Sequence, residues 1–273
     1  MPLLRRKNLA YSTAERWRPP VFRPSITFGQ RLGNRVRRFF DLQAGSIWND
    51  LATELPTLRG KVLDVGCGAQ PFRGLLSSQA SYFGLDTVDA KEHFGYEMPD
   101  TLYYAGNIWP VTDESCDVVV CTETLEHVVD PNAFVGEMHR CLRPGGRLLL
   151  TVPFAARWHF IPYDYWRFTP SGLSVILGRN GFTKVEVYAR GNAVTVACYK
   201  LMALMLPFLL PRGRSPIGSW SARVLGVAAL PVFVGVALIG NASLRLPGGD
   251  DCLGYTVLAE RADGRAGEGL HPL

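Results

Sequence analysis

The sequence predicts an α/β fold with a doubly wound, mainly parallel sheet. Short apolar segments typical of strands alternate along the chain with segments of helical periodicity. The segment 116–121 (CDVVVC) is apolar along almost its whole length, as a central parallel strand buried on both faces requires. Right-handed crossovers convert such an alternation into one sheet with helices on both faces. The sequence shows no internal repeat at a spacing of about 20–50 residues, which argues against a solenoid or propeller.

The pattern places each element in order. Residues 28–58 are predicted to be helical until Pro56, because large apolar side chains recur there at roughly helical spacing. Further helices are predicted at 71–78, at 132–142, where the RPGG segment ends the pattern, and at 169–181, which begins with the N-cap Thr169. Strands are predicted at 61–65, 82–85, 102–105, 116–121, 147–152, 183–188 and 252–261.

An apolar insertion, at about residues 196–246, separates the last two strands and is nearly free of acids. Its longest apolar run lies within 21 uncharged residues between Arg223 and Arg245, close to the ~20 that a bilayer needs. Pro231 weakens a simple spanning helix, and the last strand must return to the sheet. Two alternatives stay open: a lid over the functional face of the sheet, or helices that lie in or on a membrane.

Charge is distributed unevenly along the chain. Residues 1–40 hold ten basic side chains and one acid, a net charge of +9, whereas the remainder sums to −4. We therefore expect a solvated basic arm at 1–40, a folded domain at 41–261 and a flexible Gly-rich tail at 262–273. Contact of the arm with anionic lipid, a phosphorylated substrate or nucleic acid is the alternative.

Six cysteines lie far apart in the sequence without zinc-type spacing, which predicts reduced thiols in a reducing compartment. The N-terminal segment lacks the apolar run of a secretion signal. We expect a cytoplasmic protein, with association to a membrane left open.

Acids and glycines follow the first two predicted strands. Ligands of open parallel sheets bind beyond the carboxyl ends of the strands, where Asp64, Gly66, Gly68 and Asp86 would lie. Asp86 follows Gly66 by 20 residues, the sequence separation at which an acid of a nucleotide-binding fold can accept hydrogen bonds from two ribose hydroxyls. A third glycine for a pyrophosphate is missing from the turn, so a nucleoside is expected rather than a dinucleotide.

Four sequence blocks extend this pattern: VLDVGCG, GLDTVD, GNIWPVTDESCDVVVCTETLEHVVDP and LRPGGRLLLTVP. Over about residues 60–190 they resemble the class I S-adenosylmethionine-dependent methyltransferases, particularly the group that contains the ubiquinone-biosynthesis type. The segment PYDYWRFTPSGL is similar to a smaller subgroup that accompanies polysaccharide or natural-product assembly. The resemblance implies a Rossmann-like, seven-stranded sheet of order 3-2-1-4-5-7-6 with an antiparallel last strand, and S-adenosylmethionine as cofactor.

The resemblance also implies the cofactor contacts. The turn from Asp64 to Ala69 would hold the methionine part and Asp86 the ribose, while Asn107, where the family usually has Asp, would border the adenine with Ile108. Thr122 and Glu123 would line the methionine side. The full predicted set is Asp64, Gly66, Cys67, Gly68, Ala69, Asp86, Thr87, Asn107, Ile108, Thr122 and Glu123.

Two residues are candidates for proton transfer, His127 and Asp164. Aromatic neighbours are expected to raise the pKa of Asp164, although it could instead pair with Arg167 and organise its loop. His127 could instead be a packing residue at a helix start. Expected acceptor-binding residues are His159, Tyr163, Tyr165, Trp166 and Arg167, whose aromatic members could alternatively cover the sheet.

Glu123, Glu126 and His127 also resemble a metal-binding cluster of the ubiquinone-type O-methyltransferases and of the small-RNA 2'-O-methyltransferases. Carboxylates and an imidazole so spaced could hold a divalent ion that polarises an acceptor hydroxyl. No fourth ligand is evident in the sequence, so we predict a site without metal.

The resemblance and the residues together predict methyl transfer to an oxygen of a small molecule, a glycan or a lipid-linked acceptor. A nucleoside-binding partner protein without turnover is the first alternative. An RNA methyltransferase is the second, disfavoured because few aromatics interleave the scattered charge of the arm. Peripheral contact with a membrane and the oligomeric state stay open.

Overall fold

A computed structural model describes residue 24 and residues 27–89, 97–209 and 216–263. The side chains of 207–208 and 216–225 lie outside this description. Most of the predicted basic arm (1–40) and nearly all of the predicted tail (262–273) therefore lie outside the described residues.

Seven strands form one sheet in the order β3-β2-β1-β4-β5-β7-β6. β7 pairs antiparallel with both of its neighbours, and all the other pairs are parallel. The predicted α/β class, strand order and antiparallel last strand are thus confirmed. The strands are β1 (Gly60–Val65), β2 (Ala80–Thr87), β3 (Thr101–Tyr104), β4 (Cys116–Thr122), β5 (Leu142–Pro153), β6 (Phe182–Arg190) and β7 (Gly254–Arg261).

The described α-helices are α1 (Phe28–Phe40), α2 (Leu42–Glu54), α3 (Pro131–Cys141), α4 (Pro170–Arg179), α5 (Ala193–Leu209) and α6 (Pro216–Ser243). The predicted single helical stretch at 28–58 is two helices, because Asp41 ends α1 and its side chain accepts a hydrogen bond from the Ala44 amide at the start of α2. The predicted helix at 71–78 is wrong. The segment forms only a 3₁₀ turn, Arg73–Leu75, since Gly74 interrupts it and Gln70 has a left-handed backbone (φ 53°).

Both faces of the sheet are buried. Val119 and Cys121 of β4 face a core that includes α3 and α4 side chains, while Val118 and Val120 face a second core built on α2. This alternation explains why the strand is apolar at nearly every position. The predicted end of the helix before the RPGG segment is confirmed, since α3 ends at Cys141. β5 begins directly after it, earlier than predicted, and runs through this segment with a shift of register between the Cys116 and Val118 pairings.

The apolar insertion consists of the helices α5 and α6, which pack on each other and on a third cluster containing Leu42 and Leu253. Its base is fixed by polar contacts: the Thr195 and Ser243 hydroxyls lie 2.6 Å apart, and Asn192 Nδ2 donates to the Ser243 carbonyl. By length and composition, the segment Gly226–Ser243 of α6 could cross a membrane, and 28% of it is buried.

Gly84 of β2 provides a test of how tightly the sheet packs under the turn after β1, residues 66–69, which we call the glycine turn. A Cβ at this position would lie 2.6 Å from Cys67 Sγ. We expect Gly84→Ala to lower the free energy of unfolding by about 1–3 kcal/mol through overpacking. Gly178→Ala, in open space on α4, should instead raise it by about 0.5–1 kcal/mol. Urea unfolding of both variants measures the difference, and equal effects would contradict this packing.

Candidate functional site

The carboxyl ends of β1 and β2 meet at the glycine turn. Their parallel register pairs Val65 with Leu85, and the Gly66 amide donates to the Leu85 carbonyl. One Asp86 carboxylate oxygen accepts a hydrogen bond from the Gly68 amide (2.9 Å) and the other from the Thr87 amide (2.8 Å). The structure therefore brings the predicted acid and the predicted turn into direct contact.

Two left-handed glycines shape this turn, Gly66 (φ 68°) and Gly68 (φ 50°). A Cβ on Gly66 would lie 2.3 Å from the Thr124 hydroxyl, so the close approach of the segment after β4 also requires glycine. Thr124 Oγ1 in turn donates to the Thr122 carbonyl (3.0 Å). Thr124 was not predicted from the sequence, because its role depends on this long-range contact with Gly66.

Asp64 is a buried acid beside the turn. Its Oδ2 accepts a hydrogen bond from the Tyr82 hydroxyl (2.9 Å), and its Oδ1 is buried without a hydrogen bond in the described part of the chain. Burial raises the pKa of Asp64 to about 7, with a smaller increase from the negative charge of Asp86 and an opposing effect of the Tyr82 hydrogen bond. Burial raises the pKa of Asp86 as well. Two carboxyl groups thus share one partly desolvated region.

The other predicted cofactor residues differ in exposure. The Cys67 and Ala69 side chains are buried, so any ligand contact of theirs would come from the backbone. Asn107 and Ile108 lie in the exposed loop after β3, where 79% of Ile108 is accessible. Their assignment to adenine stays a prediction.

Glu123 follows β4 with a left-handed backbone (φ 48°), and its amide donates to the Thr151 carbonyl. Its Oε1 accepts from Arg190 Nη2 at 2.7 Å. Arg190 ends β6, is almost completely buried and also donates to the Val152 carbonyl (2.9 Å). Arg190 was not predicted from the sequence, although a basic residue at the end of a strand is a signal that could have indicated it.

Asp164 anchors the loop after β5. Both of its carboxylate oxygens bind the Arg167 guanidinium, at 2.5 and 2.7 Å, and Oδ2 also accepts from the His159 amide. Although burial opposes ionisation, these hydrogen bonds hold the pKa of Asp164 well below its usual range. The predicted increase of this pKa is therefore wrong, and the pairing with Arg167 that the sequence left open is what the structure contains.

Glu126, His127 and His159 form a cluster whose potential ligand atoms all lie within 4.8 Å of one another. Glu126 is fully buried, and within the described chain neither of its carboxylate oxygens makes a hydrogen bond. Burial and the nearby charge of Glu123 raise the pKa of Glu126 well above its usual value. Burial lowers the pKa of His127 to about 4, so its imidazole is neutral at pH 7. His159 thus joins Glu126 and His127, whereas the sequence had grouped Glu123 with them.

The predicted acceptor loop packs against this cluster. The amides of Tyr165 and Trp166 both donate to the Glu126 carbonyl, and the Tyr163 carbonyl accepts from His127 Nδ1 at 2.7 Å. The three aromatic side chains stay partly accessible, at 50% for Tyr163, 44% for Tyr165 and 41% for Trp166. These three side chains form an apolar surface beside the imidazoles of His127 and His159.

The family model of a methyltransferase domain matches residues 35–187, more than half of the chain. The chain belongs to this family. The resemblance to the class I S-adenosylmethionine-dependent methyltransferases is therefore confirmed, and S-adenosylmethionine is the cofactor of the family.

Individual relatives of this methyltransferase are distant. The ubiquinone biosynthesis O-methyltransferase of Ruegeria pomeroyi is 33% identical over 116 residues, which are 38% of this chain and 45% of that protein. A probable S-adenosylmethionine-dependent methyltransferase of Mycolicibacterium smegmatis is 38% identical over 96 residues, 34% of this chain and 37% of that protein. Each match thus spans less than half of the relative. Among solved structures, a methyltransferase in complex with the Trm112 activator of Haloferax volcanii has 15% identity and a TM-score of 0.49, covering 86% of this chain and 95% of that one.

The residues at the strand ends fit S-adenosylmethionine. Each Asp86 oxygen accepts one backbone hydrogen bond, which leaves lone pairs for ribose hydroxyls. The buried Asp64 Oδ1 offers an acceptor for a donor group, and the two acids together favour a cationic ligand. The turn between them carries little side-chain bulk.

The pKa of Asp64 predicts how stability depends on pH. Its folded-state pKa of about 7 lies above its ordinary value of 3.8, so between these pH values the folded state retains a proton that the unfolded state releases. The contribution of Asp64 to stability is therefore lost as pH rises through this window. Relative to the wild type, Asp64→Asn should gain a few kcal/mol between pH 4 and pH 8, at about 1.4 kcal/mol per pKa unit.

Urea unfolding of the ligand-free protein across this pH range measures the effect. The control is Asp250→Asn, on an exposed aspartate in the loop before β7. Parallel pH curves for the wild type and Asp64→Asn would show that Asp64 has no raised pKa.

Proposed function

We propose that this chain is an enzyme that transfers a methyl group from S-adenosylmethionine to a hydroxyl oxygen of a small-molecule acceptor. The observation that carries this proposal is the hydrogen bond between the Gly68 amide and the Asp86 carboxylate, which joins the side-chain-poor turn to a ribose-binding acid. Family membership supports the reaction type. The O-methyltransferase relative from Ruegeria pomeroyi supports oxygen as the acceptor atom.

The cofactor side of the site is built from strand ends. Asp86 accepts hydrogen bonds from the ribose, and the Asp64 to Ala69 turn holds the methionine part, with Thr87 beside the ribose. Thr122 and Glu123 border the methionine side, where Arg190 fixes the Glu123 carboxylate. Asn107 and Ile108 flank the adenine. When bound, S-adenosylmethionine supplies a methyl group on a sulfonium and leaves as S-adenosylhomocysteine, so alignment is the main requirement.

The acceptor side is built from the loop after β5. Tyr163, Tyr165 and Trp166 form its apolar wall, and the Asp164–Arg167 pair keeps the loop in place beside His159. His127 Nδ1 donates a hydrogen bond to the Tyr163 carbonyl, so Nε2 carries the lone pair of the neutral imidazole. Nε2 takes the proton of the acceptor hydroxyl as the new carbon–oxygen bond forms. Asp164 thus has a positioning role in this proposal, in place of the role of base expected from the sequence.

A divalent metal ion is a second candidate for activating the acceptor. The hydrogen-bond geometry of the two histidines supports an ion. His127 Nδ1 donates to the Tyr163 carbonyl, and His159 Nδ1 lies 3.0 Å from Asp164 Oδ2. In metal-ligating histidines, the N–H group of the second ring nitrogen characteristically donates a hydrogen bond to a carbonyl or carboxylate in this way. Both Nε2 atoms and the Glu126 carboxylate, whose oxygens make no hydrogen bond in the described chain and whose Oε1 lies 3.5 Å from His127 Nε2, would then be ligands, with open positions for an acceptor oxygen.

Asp86→Ala tests the proposed cofactor site. Loss of two charge-assisted hydrogen bonds, each worth about 1.5–3 kcal/mol, should weaken calorimetric binding of S-adenosylmethionine by about 100-fold or more. The matched control is Asp113→Ala, on a carboxylate that is 71% exposed and pairs with Arg140 away from the strand ends. Circular dichroism checks that both variants fold, and unchanged binding by Asp86→Ala would contradict the site.

Release of S-adenosylhomocysteine with candidate acceptors tests turnover. Small phenols, glycans and lipid-linked sugars are the acceptors to compare, with RNA as the alternative substrate. Tight cofactor binding without release on any of them would favour the non-catalytic nucleoside-binding alternative. Release on RNA that falls steeply with salt would favour an RNA methyltransferase.

Titration with Mn²⁺ and Zn²⁺ tests the metal candidate. We expect one ion per chain, with His159→Ala weakening binding by about tenfold or more. His139→Ala is the control, since His139 packs against Phe182 away from the cluster. If no ion binds and a chelator leaves S-adenosylhomocysteine release unchanged, the metal candidate is contradicted.

A further inference from the structure

Helix α1 exposes an apolar stripe. Phe28, Leu32 and Val36 recur at every fourth position and are 81%, 54% and 48% accessible, and α1 buries none of its residues. The helix carries no acid, and its basic residues are Arg31, Arg35, Arg37 and Arg38. A cationic helix with an uncovered apolar stripe is typical of helices that lie in the interface of a lipid bilayer.

The helices α5 and α6 are also apolar and largely uncovered. Only 28% of the segment Gly226–Ser243 is buried, whereas a core helix of the same composition would be mostly buried. The accessible apolar side chains on these helices, each between 46% and 73% exposed, are Val194, Leu201, Leu204, Val227, Leu230, Val232, Leu238 and Ile239. Within the described chain nothing covers them, so the lid that the sequence left open does not account for this surface.

The three helices adjoin one another. The Phe40 ring at the end of α1 stacks on Phe233 of α6 at a centroid distance of 5.3 Å, and Asn241 Nδ2 donates to the Phe39 carbonyl (2.9 Å). α5 packs along α6. The stripe of α1 and the exposed side chains of α5 and α6 therefore belong to neighbouring elements, and we call them together the apolar helix surface.

We propose that the apolar helix surface docks this protein onto an anionic lipid bilayer. The apolar side chains enter the boundary between headgroups and acyl chains, and the exposed Arg31 and Arg35 of α1 contact lipid phosphates. Charge decides between lipid and a second copy of this chain. A symmetric dimer through this surface would bring two acid-free arginine helices together, whereas an anionic bilayer complements them.

Docking differs from spanning in this fold. α5 follows β6 and α6 precedes β7, and the Thr195 and Ser243 hydroxyls join the two helices at their common base. Since β7 lies in the sheet between β5 and β6, the chain returns to the side from which it left. A single spanning helix would leave the chain on the opposite side, so the proposal places this helical hairpin on one leaflet or dipping into it.

The same helices border the acceptor loop. Lys200 Nζ of α5 donates to the Ala155 carbonyl, directly after β5, and Arg190 at the strand ends lies three residues before α5 begins at Ala193. The docking itself is independent of methyl transfer. With the proposed function added, the contact gives an amphiphilic acceptor access to the site from the lipid side.

Flotation of the full chain with vesicles tests this inference. Vesicles of phosphatidylcholine alone are compared with vesicles of phosphatidylcholine and phosphatidylglycerol. We expect binding to the anionic vesicles that weakens with salt. Val36→Glu should lower the partition coefficient about tenfold, because it places a charge in the stripe. Arg31→Glu with Arg35→Glu should lower it by about tenfold or more on anionic vesicles.

Val175→Glu is the matched control, since Val175 is 51% exposed on α4. It should bind vesicles as the wild type does, and all variants should retain S-adenosylmethionine binding, which separates failure of docking from failure of the cofactor site. Three results would overturn the proposal: no binding to anionic vesicles, equal binding by Val36→Glu and Val175→Glu, or a stable dimer that Val36→Glu dissociates.

Discussion

The contact between the glycine turn after β1 and the acid at the end of β2 is the constraint on which the functional face depends. It exists because β1 and β2 are adjacent and in parallel register, so that their carboxyl ends stop side by side. The Asp86 carboxylate then satisfies the Gly68 amide, which a left-handed backbone directs out of the strand. Thr124 closes against Gly66 from the next strand, so three strands define one narrow, side-chain-poor region.

The two proposed halves of the site, one for the cofactor and one for the acceptor, are stabilised by different interactions. The cofactor half relies on backbone amides and on acids whose burial raises their pKa values. The acceptor half relies on side-chain ion pairs, chiefly Asp164 with Arg167, which hold a loop without regular structure. Because Asp164 Oδ2 also accepts from the His159 amide and lies 3.0 Å from His159 Nδ1, this one carboxylate orients both the loop and an imidazole. Arg190 links the halves by holding Glu123.

Most of the fold was predictable because its signals are local. Strand burial on both faces, the glycine turn and the acid at the end of the next strand are each encoded within a few residues. The failures have physical causes. Gly74 and the conformation of Gln70 weaken a helix that the apolar spacing predicted, and the Asp41 cap divides another. The lowered pKa of Asp164 and the partnership of Arg190 with Glu123, 67 residues apart, depend on contacts that spacing alone does not reveal.

The most direct test of the account is a crystal structure of the chain with S-adenosylhomocysteine. The account predicts ribose hydroxyls within hydrogen-bond distance of both Asp86 oxygens and the amino acid part against the turn that begins at Asp64. A nucleoside bound elsewhere, or a turn that closes fully over Asp86 and admits no ligand, would contradict it.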